Sequence, residues 1–450
     1  MTKNMTEGSP LRLILSFSAP MLLGNLLQQV YNMADAMIVG HYLGADALAG
    51  VGASSSVQFL VIGFCIGICA GFGIPFARHF GARRHDLMRR SMFNAFFLAV
   101  LFSVVLTLIT TLCCTGILHL LKTPDKIFSD AYDYLFIIFL GIPFTIFYNL
   151  MSAVLRAVGD SRTPFIFLVV STILNIAMDL LFIIVLDMGC AGAAVATVTA
   201  QGISAFSCFF YTLIRQRDIL PGKADMKING HDIGEHFLMS IPMGLQYSIT
   251  AIGSMVLQSA NNGLGEIYIS AFTAGMKIKQ LVMCPFDAVA TGVSVFISQN
   301  IGAGKPARAK QGIIKGLTIT VSYGLVLGVL LWFAGRTMTK MFVDSAQVEI
   351  LDAAGRYLRC IGLFYWAIGF LNVCRMSIQG LGYSMRAIVS GVLEMIARIV
   401  VSTIFVPLYG FTAICFADQA AWVAACVYVI PMCFHCLKIE SRKVAPVEES

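Results

Sequence analysis

Two acidic residues stand out within the apolar stretches of the first half of this sequence. Asp35 and Asp179 each lie inside an apolar run, and Asn175 precedes Asp179 by four residues, so it shares a helix face with that acid. Thr197 adds a hydroxyl from a third apolar run. Two carboxylates in partly dry surroundings repel each other, so one must take up a proton or a cation must bind between them. These residue types are suited to sensing H⁺ or Na⁺.

A purely structural interpretation is open for each of these residues. Asp35 could be an interfacial residue at a helix end, and Asp179 could do no more than bond the neighbouring backbone. Asn175 and Thr197 could bridge helices, as such side chains often do in membranes. The functional interpretation of the two acids rests on cost, because an unpaired acid at the centre of a membrane helix costs about 3 kcal/mol.

The second half carries more charge within its apolar runs. The charged residues that lie well inside those runs are Lys277, Lys279, Asp287, Arg375, Glu394, Arg398 and Asp418. Glu394 and Arg398 are four residues apart with the acid first, which is the favoured orientation for a helical ion pair, so we predict a structural pair. Lys277 and Lys279 are two residues apart and point in different directions, so they cannot both reach the same membrane interface.

The composition indicates that these residues lie in a membrane protein. Hydrophobic residues make up 58% of the chain, charged residues make up 12%, and the mean hydropathy is +0.82. A soluble protein of this length needs far more charge to cover its surface. A membrane protein confines charge to its loops and to a few functional positions.

The chain contains twelve windows long enough and apolar enough to cross a bilayer, which takes about 20 residues. These predicted spans 1 to 12 are residues 13–39, 47–77, 91–118, 131–155, 163–186, 189–214, 236–260, 268–299, 312–335, 354–381, 385–408 and 411–437. We predict an N-lobe over 1–214, a cytoplasmic linker over 215–235, a C-lobe over 236–437 and a cytoplasmic tail over 438–450.

The distribution of basic residues predicts the orientation. With a cytoplasmic N-terminus, the cytoplasmic segments hold 21 of the 31 Lys and Arg, the opposite loops hold six and the spans hold four. Lys and Arg are retained in the cytoplasm, so both termini are expected there, in a plasma or inner membrane. The net charge of +7 is then a result of topology, and nucleic-acid binding is not indicated. The first run shows no cleavable signal peptide and is expected to remain as span 1.

The two halves of the chain are similar in sequence. Residues 71–82 match residues 292–303 at a shift of 221, and Pro20-Met21 matches Pro242-Met243 at a shift of 222. Six spans per half put equivalent residues on the same side of the membrane. We therefore predict an all-α membrane protein of twelve transmembrane helices, arranged as two parallel six-helix repeats. A cavity between two such lobes would be a route for a substrate.

On this topology, the polar residues of the first half reach similar depths. Asp35 lies near the outer end of span 1, and Asp179 and Thr197 each lie about two turns inside their spans. In the second half, one of the two lysines is expected to face the cavity, which would favour anionic or zwitterionic substrates. The candidate cavity residues are Lys277, Lys279, Asp287, Arg375 and Asp418.

The chain resembles the multidrug and toxic compound extrusion (MATE) transporters, in a prokaryotic branch similar to the DNA-damage-inducible F proteins. The resemblance rests on the twelve-span repeat, on Pro20 followed by Asp35, on the Gly81-Ala82 and Gln299–Gly304 loop starts, and on Asn175-x-x-x-Asp179. It implies two lobes in a V and an N-lobe cation site at Asp35, Asn175, Asp179 and Thr197. Proton or Na⁺ binding there would bend or shift span 1 and eject the substrate.

One pattern of that family is missing. The family places a Glu in span 7 and an Asp in span 10, where this chain has Thr250 and Ile368, so a C-lobe Na⁺ site of that kind is not expected. The resemblance implies a monomeric antiporter that exports amphipathic small molecules, driven by H⁺ or Na⁺, without a cofactor. A flippase for lipid-linked saccharides, from the same wider superfamily, is the alternative, and a channel is a more distant one.

An enzyme is not indicated by the sequence. We find no Walker lysine motif, no His-rich spacing and no set of metal ligands. Cys433, His435 and Cys436 lie close together at the predicted cytoplasmic end of span 12, but a metal site there would need further partners. Most of the 13 cysteines lie within spans, where they are expected to be small reduced hydrophobes.

Overall fold

The computed structural model describes residues 3–121 and 123–444, and within them the chain is helical with no β-strand. Fifteen α-helices follow one another: α1 Pro10–Tyr42, α2 Ala45–Gly81, α3 His85–Leu120, α4 Asp125–Leu140, α5 Ile142–Ala157, α6 Arg162–Leu180, α7 Gly189–Arg215, α8 Gly230–Asn262, α9 Glu266–Gly302, α10 Pro306–Thr339, α11 Val348–Gly362, α12 Tyr365–Gly380, α13 Ser384–Val400, α14 Val406–Tyr409 and α15 Phe411–Val444. The fold confirms the all-α prediction.

The twelve predicted spans all fall on these helices. Among the described residues, nine helical segments are long and apolar enough to cross a membrane. Two further spans are bent pairs, α4 with α5 at 46° and α11 with α12 at 53°. The remaining helix, α8, is long enough but carries more polar residues, among them Asp232, Glu235 and Gln246. Predicted spans 4 and 10 are therefore broken helices, which hydropathy alone does not reveal.

The internal repeat is visible in the backbone as well as in the sequence. The bends in spans 4 and 10 occur at equivalent places. A π-helical segment, Leu181–Val185, follows α6, and its counterpart Val401–Phe405 follows α13. Left-handed glycines also recur, since φ is 82° at Gly159 and 83° at Gly382. The two halves thus share local irregularities that a simple helical bundle would not need.

The chain divides into two compact units. Unit 1 consists of residues 1–4 and 23–244, and unit 2 consists of residues 5–22 and 245–450. Helices α1 and α8 therefore contribute to both units, and each changes unit two residues after a proline, Pro20 in α1 and Pro242 in α8. The contiguous lobes and linker predicted from the sequence stay a prediction, and residues 445–450 of the predicted tail lie outside the described residues.

Each unit packs the first part of one shared helix against a glycine. In unit 1, a Cβ added at Gly71 would lie 2.4 Å from Ser240 Cα of α8. In unit 2, a Cβ added at Gly292 would lie 2.5 Å from Ser18 Oγ of α1. At Gly71 the facing backbone leaves room for glycine alone, as at close helix contacts in membranes, whereas at Gly292 the close atom belongs to a side chain that can move. Gly71 and Gly292 are equivalent in the repeat.

Candidate functional site

The predicted polar residues of unit 1 come together on three helices. α1 supplies Tyr31, whose hydroxyl lies 3.0 Å from Thr197 Oγ1 on α7. Asn175 on α6 lies between Thr197 and Asp179, and the amide orientation that satisfies both of its polar atoms donates to Asp179 Oδ2 at 3.0 Å and accepts from the Thr197 N–H at 3.2 Å. Asn175 thus joins an acid on its own helix to the backbone of the next span.

The two acids of unit 1 are buried and incompletely bonded. Asp35 is 9% exposed and Asp179 is fully buried. Within the described part of the chain, Oδ1 of Asp35 and Oδ1 of Asp179 have no hydrogen-bond partner, and neither acid forms an ion pair. The two carboxyls lie within electrostatic range of each other and of Tyr31. This arrangement leaves oxygen atoms available to a proton or to a hard cation.

The loop before α6 holds that helix in place. Asp160 Oδ1 accepts hydrogen bonds from the N–H groups of Arg162 at 3.1 Å and Thr163 at 3.0 Å, and Oδ2 accepts from the Thr163 hydroxyl at 2.7 Å. Burial by itself would raise the pKa of Asp160, but favourable interactions, those with Thr163 foremost, hold the pKa below its usual value. The helix that carries Asn175 and Asp179 therefore begins at an ionised cap.

The charged residues of unit 2 form one connected network of ion pairs. Lys279 Nζ on α9 lies 2.5 Å from Asp418 Oδ2 on α15, and Arg398 on α13 reaches Asp418 Oδ1 at 3.1 Å. Arg398 also reaches Glu394 Oε2 at 3.4 Å, and Arg375 on α12 binds the other oxygen of Glu394. All five side chains are at most 10% exposed. The network ties four helices together.

The predicted ion pair of Glu394 and Arg398 exists, but it is one link of this larger network. Glu394 has a second cationic partner in Arg375, which also donates to Ser390 Oγ at 3.0 Å. From the sequence we had predicted Arg375 as a cavity residue and not as a partner of Glu394. Lys279 and Asp418 were also predicted to line the cavity, and the structure pairs them with each other in the interior of unit 2.

Lys277 and Asp287 are the exposed members of the candidate cavity set. The Lys277 ammonium lies 5.6 Å from the centre of the Phe342 ring, which follows α10. Asp287 lies about halfway along α9, and its Oδ1 accepts a hydrogen bond of 2.9 Å from Asn372 Nδ2. An exposed carboxylate at this depth of a membrane helix is expected to face water or a ligand, because hydrocarbon would make it costly.

Comparison with known proteins decides the family. The sequence model of the MatE family matches residues 20–181 and again residues 242–404. The chain belongs to the MATE family of multidrug efflux transporters. The probable multidrug resistance protein YpnP of Bacillus subtilis (strain 168) is 30% identical over 392 residues, which is 86% of each chain. The family resemblance inferred from the sequence is thereby confirmed.

Solved MATE structures share the fold. A crystal structure of MATE in complex with MaL6 has a TM-score of 0.91 at 21% identity, over 98% of this chain and all of that one. A MOP superfamily transporter from Pyrococcus furiosus, described as having a binding pocket of reversed polarity, has a TM-score of 0.87 at 20% identity and full coverage of both chains. This MATE protein is therefore a multi-pass membrane protein.

Several residues of the two clusters were missed by the sequence analysis because they are uncharged. Tyr31 contacts Thr197 in unit 1, and Tyr134 lies within electrostatic range of Asp35 and within hydrogen-bonding reach of Gln58. In unit 2, the Tyr357 hydroxyl donates to Asp418 Oδ2 at 3.3 Å. The sequence did contain a sign of these tyrosines, because Tyr134 and Tyr357 occupy equivalent positions of the repeat at a shift of 223.

Metal binding finds little support outside the two acids of unit 1. In residues 3–121 and 123–444, no group of three or more His, Cys, Asp or Glu is arranged to hold a metal ion. Near the end of α15, Cys436 Sγ instead lies 3.6 Å from an Arg386 guanidinium nitrogen. The Cys436 thiol of the cluster Cys433, His435 and Cys436 thus lies beside a basic side chain.

Proposed function

We propose that this MATE protein is a secondary antiporter that exports amphipathic small molecules by alternating access, coupled to H⁺ or Na⁺ through Asp35 and Asp179. One observation carries the proposal: these two buried acids lie within electrostatic range of each other, and each has an unbonded oxygen. Their mutual repulsion is relieved when a proton or a cation binds. The site thus supplies the differential binding that an ion gradient needs in order to do work.

The hydrogen bonds around the acids give a route from ion binding to helix movement. Tyr31 is one turn before Asp35 on α1 and contacts Thr197 on α7, while Asn175 links Thr197 to Asp179. Ion binding changes which oxygens of Asp35 and Asp179 can accept hydrogen bonds. The contact between α1 and α7 is therefore expected to change with it, and α1 bends or shifts and releases the substrate.

The proposal is tested in proteoliposomes that contain the purified protein. Export of a labelled dye is measured with a proton gradient and with a Na⁺ gradient, each imposed alone. Asp35→Asn and Asp179→Asn are each expected to abolish gradient-driven export, because an amide cannot take up the coupling ion. Undiminished export by either variant would remove that acid from the coupling site.

Asp187→Asn is the matched control for this experiment. Asp187 is an exposed acid at the end of the same predicted span as Asp179, and asparagine tolerates its positive φ of 50°. The control is expected to export at the wild-type rate. Translocation of a lipid-linked saccharide without export of the dye would instead favour the flippase.

We further propose that cationic amphiphiles are the preferred substrates, with Asp287 as their counter-ion. Lys279 is neutralised by Asp418, so the basic cavity wall expected from the sequence is reduced to Lys277. Asp287 is exposed, and the side chain that donates a hydrogen bond to it, Asn372, is neutral. An exposed carboxylate favours a cation over an anion. This proposal replaces the preference for anionic substrates suggested by the two lysines.

A further inference from the structure

The acidic cluster of unit 1 and the ion-pair network of unit 2 occupy equivalent positions in the internal repeat. The correspondence follows the shifts of 221 to 223 residues that relate the two halves. The equivalent pairs are Gln58 and Lys279, Tyr134 and Tyr357, Asn175 and Arg398, and Thr197 and Asp418. The two clusters are thus one inherited site that has acquired opposite charge in the two units.

The acids of unit 1 are replaced by uncharged residues in unit 2. Leu257 stands at the position equivalent to Asp35, and Ser402 at the position equivalent to Asp179. The acid of unit 2, Asp418, comes instead from the helix that carries Thr197 in unit 1. Each of its oxygens is bound by a basic side chain, Oδ2 by Lys279 and Oδ1 by Arg398. Unit 2 therefore has a carboxylate at this site, and both of its oxygens have a cationic partner.

The backbone of unit 2 makes room for the larger basic side chain. Tyr31, which contacts Thr197 in unit 1, is equivalent to Gly253 in unit 2 at a shift of 222. A Cβ added at Gly253 would lie 3.5 Å from both Cδ and Nη1 of Arg398. Arg398 thus lies directly against the place where a side chain at residue 253 would begin. Gly253 and Arg398 together replace Tyr31 and Asn175.

We propose that Lys279 and Arg398 are tethered counter-ions, which occupy in unit 2 the place that the coupling ion takes in unit 1. Unit 2 then binds no H⁺ or Na⁺ during transport, and all ion coupling belongs to unit 1. This inference rests on the proposed function, because it assumes that unit 1 binds the coupling ion. It extends that function by assigning the ion to one of two equivalent sites.

The physical basis is competition for Asp418 between a free cation and basic side chains that are attached to the protein. A guanidinium keeps its charge throughout the physiological pH range, and the Lys279 ammonium lies within 2.5 Å of Asp418 Oδ2. A side chain anchored to its own helix needs no association step, so a free cation competes with it poorly. Tyr357 donates a further hydrogen bond to Asp418. Asp418 is therefore satisfied without any ion from solution.

The first test measures ion binding without transport. The thermal unfolding temperature of the purified protein in detergent is followed as Na⁺ replaces choline at constant ionic strength, and separately as pH is varied between 5 and 8. We expect the response of the wild type to disappear in the double variant Asp35→Asn, Asp179→Asn. A full response in that double variant would place ion binding elsewhere and overturn the proposal.

The second test converts unit 2 towards the residues of unit 1. In the Asp35→Asn, Asp179→Asn background, the substitutions K279Q, R398N and G253Y remove both tethered charges and restore the tyrosine. We expect this variant to gain a stabilising response to Na⁺ or to protons, because Asp418 loses both of its cations. If the folded variant shows no gain, the tethered charges are not standing in for an ion and the proposal fails.

Two further variants keep the second test decisive. K279Q alone leaves Arg398 on Asp418, so it preserves most of the network and serves if the triple substitution does not fold. K279Q is expected to gain a smaller stabilising response to Na⁺ or to protons. A folded K279Q variant without any such gain would also overturn the proposal. R398K retains the tethered charge and is expected to show no gain. If the unfolding temperature of the wild type does not respond to Na⁺ or to pH, the proposed coupling is refuted. The tethered charges are then still tested by whether the converted unit 2 gains such a response.

Discussion

The two units of this protein solve the same electrostatic problem in different ways. Unit 1 buries Asp35 and Asp179 with polar but uncharged neighbours, whereas unit 2 surrounds Asp418 and Glu394 with three basic side chains. Their backbones share the same bends, π-helical segments and left-handed glycines. The difference between them is therefore chemical and not architectural.

This difference teaches how one fold separates a responsive site from a fixed one. The charge of a buried acid with a protein cation beside it is balanced at any concentration of ions in solution, and removal of either partner costs about 3 to 5 kcal/mol. A buried acid without such a partner stays expensive until something from solution neutralises it. The unpaired acids of unit 1 are thus suited to ion sensing, and the paired acids of unit 2 are suited to holding helices together.

Removal of one acid from each unit should show the largest contrast in stability. Asp418→Asn is expected to lower the free energy of unfolding by about 3 to 5 kcal/mol, because Lys279 and Arg398 lose their shared carboxylate. Asp179→Asn should change it by less than about 1 kcal/mol, because that acid has no ionic partner among the described residues. Unfolding in mixed micelles measures both. Equal losses for the two variants would contradict the comparison.

The equivalent glycines at the shared helices should differ in their tolerance of alanine. Gly71→Ala places its Cβ against the backbone of Ser240, and we expect a loss of about 1 to 3 kcal/mol. Gly292→Ala meets the movable hydroxyl of Ser18, so a smaller loss is expected. The midpoint of unfolding in detergent gives the comparison. A larger loss for Gly292→Ala would show that the Ser18 side chain has no room to turn.

The exposed acid of unit 2 has no acidic counterpart in unit 1, where the equivalent residue is Ile66. Asp287→Asn is expected to reduce export of a cationic dye by about tenfold, equivalent to about 1.4 kcal/mol, and to leave a neutral dye unaffected. Lys277→Met is the control and should leave both dyes unaffected. Reduced export of an anionic dye by Lys277→Met, with no effect of Asp287→Asn, would restore the basic cavity wall expected from the sequence.

The smallest expected effect concerns the loop before α6. The position equivalent to Asp160 in unit 2 is Tyr383, so this ionised cap belongs to unit 1 alone. Because the pKa of Asp160 is lowered in the folded state, its contribution is present above the unfolded pKa and is lost as pH falls through the folded one. Asp160→Asn should cost about 1 kcal/mol near pH 7, and the difference from the wild type should begin to shrink only as pH falls below about 4. A constant difference across this range would show that the charge does not contribute.

The sequence was sufficient to predict the membrane class, the twelve spans and the repeat, because hydropathy and self-similarity are properties of the chain itself. The breaks in spans 4 and 10 were missed because their apolar runs continue through them. The exchange of the first parts of α1 and α8 between the units was also missed, since it depends on contacts between residues such as Gly71 and Ser240 that are distant in the chain.

The polar and charged residues of the site could be identified from the sequence, but most of the pairs that they form could not. Asp35, Asn175, Asp179 and Thr197 were placed in one group, and the structure brings Asn175 into contact with both Asp179 and Thr197. Their role in coupling stays a prediction. Lys279 and Asp418 lie 139 residues apart in the chain, so no local spacing could have paired them. A helical spacing of four revealed Glu394 with Arg398 but not the second partner, Arg375.

The sharing of α1 and α8 between the units has a consequence for biosynthesis. Residues 5–22 are translated before the rest of unit 2. Their partners there, such as Asn300, which donates to the Met5 carbonyl, emerge almost 300 residues later. Unit 1 in turn lacks its last helical segment until residues 230–244 have left the ribosome. Unit 1 cannot finish packing before the first part of α8 is made, and residues 5–22 must wait for the rest of unit 2. A nascent chain halted at midpoint would therefore expose unfinished surfaces of both units to chaperones and membrane proteases.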